Sequence, residues 1–313
     1  MSLIDYILRS EYFKNQPPVL VDIGASGEIN AKWKAIAPYS ICIAFDADDR
    51  EFHVTESQAF GYKKLITINR IVTATETSAA DFYLTASPFC SSLLEPSLEK
   101  LAPWSFQPLF WVEKKIQLSA VTISTALMQA NVQYIDWFKT DTQGTDLRLF
   151  LSTPDTIRQN ILAAELEPGI IDAYIGEDKL YTILETMPHH GFWLSSMDVK
   201  GTQRLNPAYL EQMGEFAGNR MIRKSPCWAE ITFLRNTFET QPRNLLLLLV
   251  FAVLERQYGF ALEICDVAAS KYPDAIFTES RKTVWKIIRK EKLKVPLVMI
   301  KKQFNKLFSS VNA

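Results

Sequence analysis

Residues 19–27 read Val-Leu-Val-Asp-Ile-Gly-Ala-Ser-Gly, a short and nearly continuous apolar run closed by Gly24 and Gly27. Apolar character without alternation is what a strand needs when helices cover both faces of a parallel sheet. The glycines let the backbone turn tightly after the strand and approach a ligand closely, and Asp22 sets a carboxylate near the strand tip. A glycine after a strand also serves as a plain turn, so the fold follows from this stretch sooner than the function does.

Working outward, the same rhythm recurs. Residues 29–37 carry apolar side chains at helical spacing and are stopped by Pro38, which predicts a helix. Residues 40–45 (SICIAF) read as a second buried strand, 50–60 as a helix and 65–73 as a third strand. Residues 81–86 and 109–121 look extended and flank a Pro- and Ser-rich loop, which suggests a hairpin or insertion. The alternation then resumes with a helix near 123–131, a strand at 135–140, a helix from about Asp146 and a strand at 161–167. A helix at 177–190 and strands at 192–199 and 229–235 close the body. Strands alternating with helices imply a doubly wound, mostly parallel Rossmann-like α/β sheet with right-handed crossovers. Beyond Pro242 the pattern turns helical, punctuated by Pro273 and Pro296. The expected division is therefore an α/β domain over residues 1–238 and a basic helical appendage over 239–313.

Composition agrees with this size of core. The chain has 313 residues, 48% hydrophobic and 22% charged, which excludes a disordered, collagenous or coiled-coil protein. Its net charge of −1 averages two unlike parts, since residues 279–313 hold ten Lys or Arg against Glu279 and Glu291. That stretch is +8 and the remainder −9. An acidic body repels polyanions, so no nucleic-acid partner is expected. The basic tail is amphipathic, and two readings stay open: a solvated basic face, or peripheral contact with an anionic membrane through residues 279–313. Cys42, Cys90, Cys227 and Cys265 are isolated, and His53, His189 and His190 suit helix ends or surface, so neither a disulfide framework nor a metal site is indicated. The first sixteen residues lack the unbroken apolar core of a signal peptide, and the longest apolar run, 245–254, is half the length of a membrane span. A cytoplasmic location is expected.

Three polar clusters fall where the pattern places the carboxyl ends of strands, the edge at which open α/β sheets bind ligands. The first is Asp22-Ile23-Gly24-Ala25-Ser26-Gly27. The second holds Asp46 and Asp48, about 20 residues further on, where a carboxylate accepts the hydroxyls of a ribose; helix capping is the alternative use of these acids. The third is Lys139-Thr140-Asp141-Thr142-Gln143-Gly144, with Asp146 as a possible helix cap.

Taken in order, Val21–Gly27, Ala44–Asp48 and Phe138–Asp146 resemble the successive motifs of FkbM family methyltransferases, over about residues 17–235. The resemblance implies a class I methyltransferase fold, S-adenosylmethionine as cofactor and a hydroxyl-bearing glycan or small metabolite as acceptor. It places Asp22, Gly24 and Gly27 along the methionine part of the cofactor and Asp46 at the ribose, with Ser26 and Asp48 as further cofactor-binding residues. It sets Ser91-Ser92-Leu93 in a serine-containing loop and Asp141 near the transferred methyl. Departures are Gln143 where Glu is common, Ile123-Ser124 where a Leu-Asp pair is common, and Asp46 for the more usual Glu. An amide takes no proton at neutral pH, so Gln143 would orient a substrate while Asp141 acts as base or positions the hydroxyl. The aromatic stretch 84–111 would wall the acceptor site or simply pack against the sheet. Two other functions compete. A non-catalytic scaffold that has kept the cofactor fold would work through its basic tail. A nicotinamide-dependent oxidoreductase would want GxGxxG, whereas the turn here is Gly24-Ala25-Ser26-Gly27.

Overall fold

The computed structural model describes residues 1–24, 30–45 and 61–310, and of residues 31, 215, 219 and 294–310 the backbone alone. The chain divides into two compact units, Phe13–Thr237 and a second made of Met1–Tyr12 with Phe238–Ala313. The first twelve residues thus leave the α/β body to which the sequence reading gave them. Helix Leu3–Leu8 buries Leu3, Ile7 and Leu8, packing on helices Pro242–Leu254 and Ala275–Ser310. Tyr12 donates to Asp274 Oδ2 at 2.7 Å. Helix Tyr258–Lys271 completes this unit, and the helix Ala275–Ser310 runs through Pro296 rather than ending there. Among the described residues no helix is long and apolar enough to cross a membrane.

Among its described residues the larger unit carries ten strands: β1 Val19–Ile23, β2 Ile41–Phe45, β3 Lys64–Ile68, β4 Ile71–Val72, β5 Ala79–Thr85, β6 Val112–Val121, β7 Trp137–Thr140, β8 Ala163–Leu166, β9 Phe192–Gln203 and β10 Lys224–Arg235. Seven form one sheet in the order β3-β2-β1-β7-β8-β10-β9. β10 runs antiparallel to both its neighbours, while the β3–β2–β1–β7–β8 ladder is parallel throughout. Numbered within the sheet alone the order is 3-2-1-4-5-7-6 with the seventh strand reversed. This is the doubly wound, mostly parallel Rossmann-like sheet of the class I methyltransferase fold, and it differs from the 3-2-1-4-5-6 order of dinucleotide-binding folds. β4, β6 and β5 make a separate three-stranded sheet, with β5 and β6 antiparallel as expected of an insertion.

Local chemistry explains where elements depart from the sequence expectation. In place of a helix over 29–37 there are two 3-10 segments, Ala31–Ala35 and Ala37–Tyr39. Asn30 caps the first through Lys32 N, and Pro38, which has no N–H to donate, prevents the two from merging. The single strand expected at 65–73 divides at a turn in which Arg70 N bonds to Ile68 O, sending β4 to the second sheet. The helix at Ile123–Ala130 matches its expectation, with Thr122 as N-cap and Asn131 closing it at φ 54°. The helix expected at 50–60 lies outside the described residues.

Register then fixes which side chains share a face. Leu20, Trp137, Ala163 and Leu234 stand side by side across β1, β7, β8 and β10. Two residues along come Asp22, Lys139, Glu165 and Thr232 on the same face, because side chains alternate with period 2. Trp33 packs edge-on against Trp137 at 6.0 Å, and the neighbouring Lys32 reaches Glu165 Oε2 (3.2 Å) and Thr232 Oγ1 (3.0 Å). The opposite face is apolar: Val21, Phe138, Ala164 and Phe233 pack with Leu147, Phe150, Ile183 and Met187 from helices Asp146–Ser152 and Leu180–His189. One face is therefore apolar throughout, while the other is buried at Leu20, Trp137, Ala163 and Leu234 and grows polar toward the carboxyl ends of the parallel strands.

The turn after β1 is set by a close approach. Gly24 has φ +83°, its N–H bonds to Phe45 O at 3.0 Å, and a Cβ built on it would lie 2.0 Å from the Asp141 carbonyl oxygen. Gly24→Ala must strain the left-handed backbone and push β7 aside, at a cost of about 2 kcal/mol or more. The expected outcome is a lower urea midpoint with native-like circular dichroism; an unchanged midpoint would show that β1 and β7 do not meet this closely.

Candidate functional site

A cavity of about 530 Å³ opens at the carboxyl edge of the sheet, beside the point between β1 and β7 where the strand order reverses. Ile23 and Gly24 from β1, Phe45 from β2 and Ile71 and Val72 from β4 line one end. Residues 141–144, following β7, line it too, as do Glu167 after β8 and Trp228 and Glu230 of β10. The segment between β5 and β6 supplies Phe89, Phe106, Leu109 and Phe110 to the lining.

Of the residues singled out in the sequence, Gly24, Asp141 and Gln143 meet in this lining. Asp22 does not line it. Its carboxylate is buried and accepts from Lys139 Nζ at 2.7 Å, so its described partner is a neighbouring strand. Burial works against the charge on Lys139, yet Asp22, Asp141 and Glu165 outweigh it and hold the ammonium above lysine's ordinary pKa. Ser26, Gly27, Asp46 and Asp48 lie outside the described residues. Ser91 and Leu93 line the cavity, while Ser92 Oγ donates to Gln143 O at 2.8 Å and so ties the serine loop to the turn after β7.

That turn is built to present Asp141. Gln143 adopts φ 55° and Gly144 φ 109°. A Cβ on Gly144 would sit 2.8 Å from Glu177 Cβ, so the second position admits little but glycine. The Gln143 amide donates from Nε2 to Asp141 Oδ1 at 2.7 Å. Its Oε1 lies 3.2 Å from the Tyr174 hydroxyl, which also donates to Cys90 O at 2.8 Å. Asp146, the first residue of its helix, accepts from Thr142 N and Oγ1 and is fully buried. Burial pushes its carboxyl up to about 6, against those hydrogen bonds.

The chief residue that the sequence reading missed is Glu167. One step beyond the ends of their strands, Asp141 and Glu167 are neighbours, and on the reversed β10 Glu230 stands at the same level, next to Ile231, which faces Leu166. Glu167 shares a hydrogen bond with Asp141, and burial, reinforced by the charges of Asp141, Asp146 and Glu230, pushes it up to about 10. It is therefore a proton-holding carboxylic acid at neutral pH beside a second carboxyl group. The sequence signal was the alternation Glu165-Leu166-Glu167, which puts both acids on the polar face. Arg70 is the one Lys or Arg in the lining among the described residues. No group of three His, Cys, Asp or Glu side chains among the described residues is placed to hold a metal ion.

An acidic crevice with aromatic walls suits a cationic centre, because carboxylates and ring faces both attract positive charge and a site removed from water strengthens the attraction. A sulfonium group would meet that requirement, with Gly24, Phe45, Ile71 and Val72 at one end of the cavity and Asp141 as the acid of the row nearest β1. The hydrogen bonds from Gln143 and from Glu167 fix the direction of the Asp141 carboxylate, and a carboxylate's four lone-pair sites leave it capacity to take an acceptor proton.

No family model and no curated protein matches the chain. Among solved structures, the chain is similar to NSun6 from Pyrococcus horikoshii, determined with SFG, at 9% identity and a TM-score of 0.29, covering 75% of this chain and 51% of that one. The chain thus spans about half the length of that structure.

The raised pKa of Glu167 sets a sign for stability. Unfolded, the carboxyl ionises near its ordinary 4.5; folded, it keeps its proton to about 10. The unfolded state alone releases the proton between those values, so this group lowers stability as pH rises through that window. Glu167→Gln, which cannot ionise in either state, should be more stable than the parent at neutral and alkaline pH. The gain in Tm should widen from pH 5 to pH 9, and scanning calorimetry across that range would show instead a constant difference if Glu167 titrates normally.

Proposed function

We propose that the chain is an S-adenosylmethionine-dependent methyltransferase that methylates a hydroxyl oxygen of a small molecule or glycan. The observation that carries this reading is the position of Asp141: it lies at the switch point of the sheet, bonded by Gln143, with Gly24 on one side and the Glu167 acid on the other. The resemblance of the three strand-end motifs to FkbM family methyltransferases names the cofactor, and the reversed seventh strand sets the sheet apart from that of nicotinamide-dependent enzymes.

When bound, the cofactor supplies an electrophilic methyl group on a positively charged sulfur. Transfer is an in-line displacement, so the protein's task is alignment, exclusion of water and removal of one proton. Asp141 takes the proton from the acceptor hydroxyl. Gln143 holds Asp141 by its Oδ1, and Tyr174, fixed on Cys90 O, holds Gln143. This chain of bonds makes Gln143 a positioning residue, in keeping with an amide that cannot accept a proton. Glu167, protonated beside Asp141, spares the site a second full negative charge at the reacting centre. The aromatic wall excludes water.

Calorimetric titration with S-adenosylmethionine and, separately, NAD tests the cofactor, and release of S-adenosylhomocysteine in the presence of a panel of hydroxyl compounds tests the reaction. Saturable binding of S-adenosylmethionine and none of NAD are expected. Asp141→Asn should bind the cofactor as the parent does and lose about 100-fold or more in turnover, the scale of a general base. Full turnover in that variant would remove Asp141 from the mechanism, and a folded protein that ignores S-adenosylmethionine would reduce the relationship to one of fold.

A further inference from the structure

Away from Asp141 the cavity is walled by rings that pack on one another. Phe106 and Trp228 stack with centroids 6.2 Å apart and planes 11° from parallel, Phe110 meets Phe106 edge-on at 5.0 Å, and Tyr174 follows at 5.6 Å from Phe110. Phe89 sits in the same lining with its side chain largely in solvent, 65% exposed, an apolar rim that a folded monomer gains nothing by displaying.

The polar groups on that side are already engaged. Tyr174 gives its proton to Cys90 O and Gln143, and Gln143 is shared between Tyr174 and Asp141. Ser91 Oγ accepts from Thr85 N at 3.1 Å. Glu177 accepts from Ala173 N and Lys179 Nζ, both at 2.7 Å. A glycan entering here would give up the hydration of several hydroxyls with few partners in exchange, a cost that carbohydrate sites avoid by matching hydroxyls with free donors and acceptors. Asp141, Glu167 and Glu230 stand in a row at the strand ends, and Arg70 is the one cationic side chain of the lining among the described residues.

Base strength points the same way. Among the described lining residues there is no histidine and no lysine, and the proton acceptor is a carboxylate. A phenol ionises near pH 10, whereas an aliphatic hydroxyl resembles water at about 15.7, so a carboxylate faces roughly six fewer powers of ten with a phenol.

We infer that the acceptor is a planar phenolic compound, its ring against Phe106 and Trp228 and its hydroxyl at Asp141. The inference rests on the methyltransferase reading above. In the step it describes, the phenolic O–H bond breaks and its proton passes to the Asp141 carboxylate. The oxygen lone pair forms the O–CH3 bond as the S–CH3 bond breaks, and that bond's electron pair stays on sulfur, which becomes a neutral thioether.

Equilibrium dialysis of the full chain against 7-hydroxycoumarin, with methyl glucoside and cyclohexanol as competitors, reads the acceptor site without requiring turnover. Saturable coumarin binding, undisturbed by either competitor, is expected. Trp228→Leu should weaken it about ten-fold, the scale of a lost ring contact together with its buried area. Phe89→Ser, a change at an exposed ring that leaves the fold intact, should weaken it several-fold. Failure of the coumarin to bind, displacement by methyl glucoside, or parental affinity in both variants would overturn the inference. Parallel titration with S-adenosylmethionine separates the two readings. A chain that binds the cofactor but not the coumarin keeps methyl transfer and loses the phenolic acceptor; one that binds the coumarin alone keeps the ring site and loses methyl transfer.

Discussion

Lys139 is a lysine ammonium largely withdrawn from water at the middle of the parallel strands, and the arrangement around it follows from that. A buried charge is tolerable only if it is paired and hydrogen-bonded. Asp22 meets it from β1 at 2.7 Å, while Glu165, adjacent on β8, turns to Lys32. The acids around it need this cation as much as it needs them, since without it Asp22, Asp141 and Glu165 on adjacent strands would repel one another at short range. Register does the placing: with β1, β7, β8 and β10 fixed by their apolar rows, Asp22, Lys139 and Glu165 fall on one level and Asp141, Glu167 and Glu230 on the next of the same face. A slip of one residue in β7 would send Lys139 and Asp141 into the apolar core.

Beyond that row the site is assembled from pieces that hold one another. The close contact of Gly24 with the Asp141 carbonyl brings the β1 turn against β7. Ser92, from the insertion between β5 and β6, bonds the carbonyl of Gln143, and Tyr174, from the segment after β8, reaches its side chain. Three chain segments far apart in sequence thus converge on a turn of four residues. The outcome is a carboxylate fixed in direction, a neighbouring acid that keeps its proton, and a wall of rings in the same cavity.

The alternation of buried strands with helices was legible because each strand is a short apolar run, and covering both faces leaves no other pattern available. The strand-end motifs were legible for a related reason: glycine at 24 and polar residues at 139–144 interrupt apolar runs where a chain must turn. Glu167 was harder to read, since it closes a strand as any polar residue does, and its perturbed proton affinity comes from Asp141, Asp146 and Glu230 on other segments. Asp22, next to the glycine turn, looks like a ligand-binding acid in one dimension and is the counter-ion of Lys139 in three. The N-terminal helix joined the C-terminal helices because its apolar face, Leu3, Ile7 and Leu8, found its cover there, a choice no local pattern records.

What the sequence by itself determined, then, was the period of burial: which segments are strands, which ends carry polar chemistry, and hence the class of fold. Only the tertiary structure decided that β10 enters the sheet reversed between β8 and β9, that β4 leaves it, and that the rings of the insertion face Asp141. The physical reason is range. Strand and turn preferences are set by neighbours within a few residues, whereas strand order, charge pairing and proton affinity are set by groups brought together from more than a hundred residues apart, as Asp22 and Lys139 are.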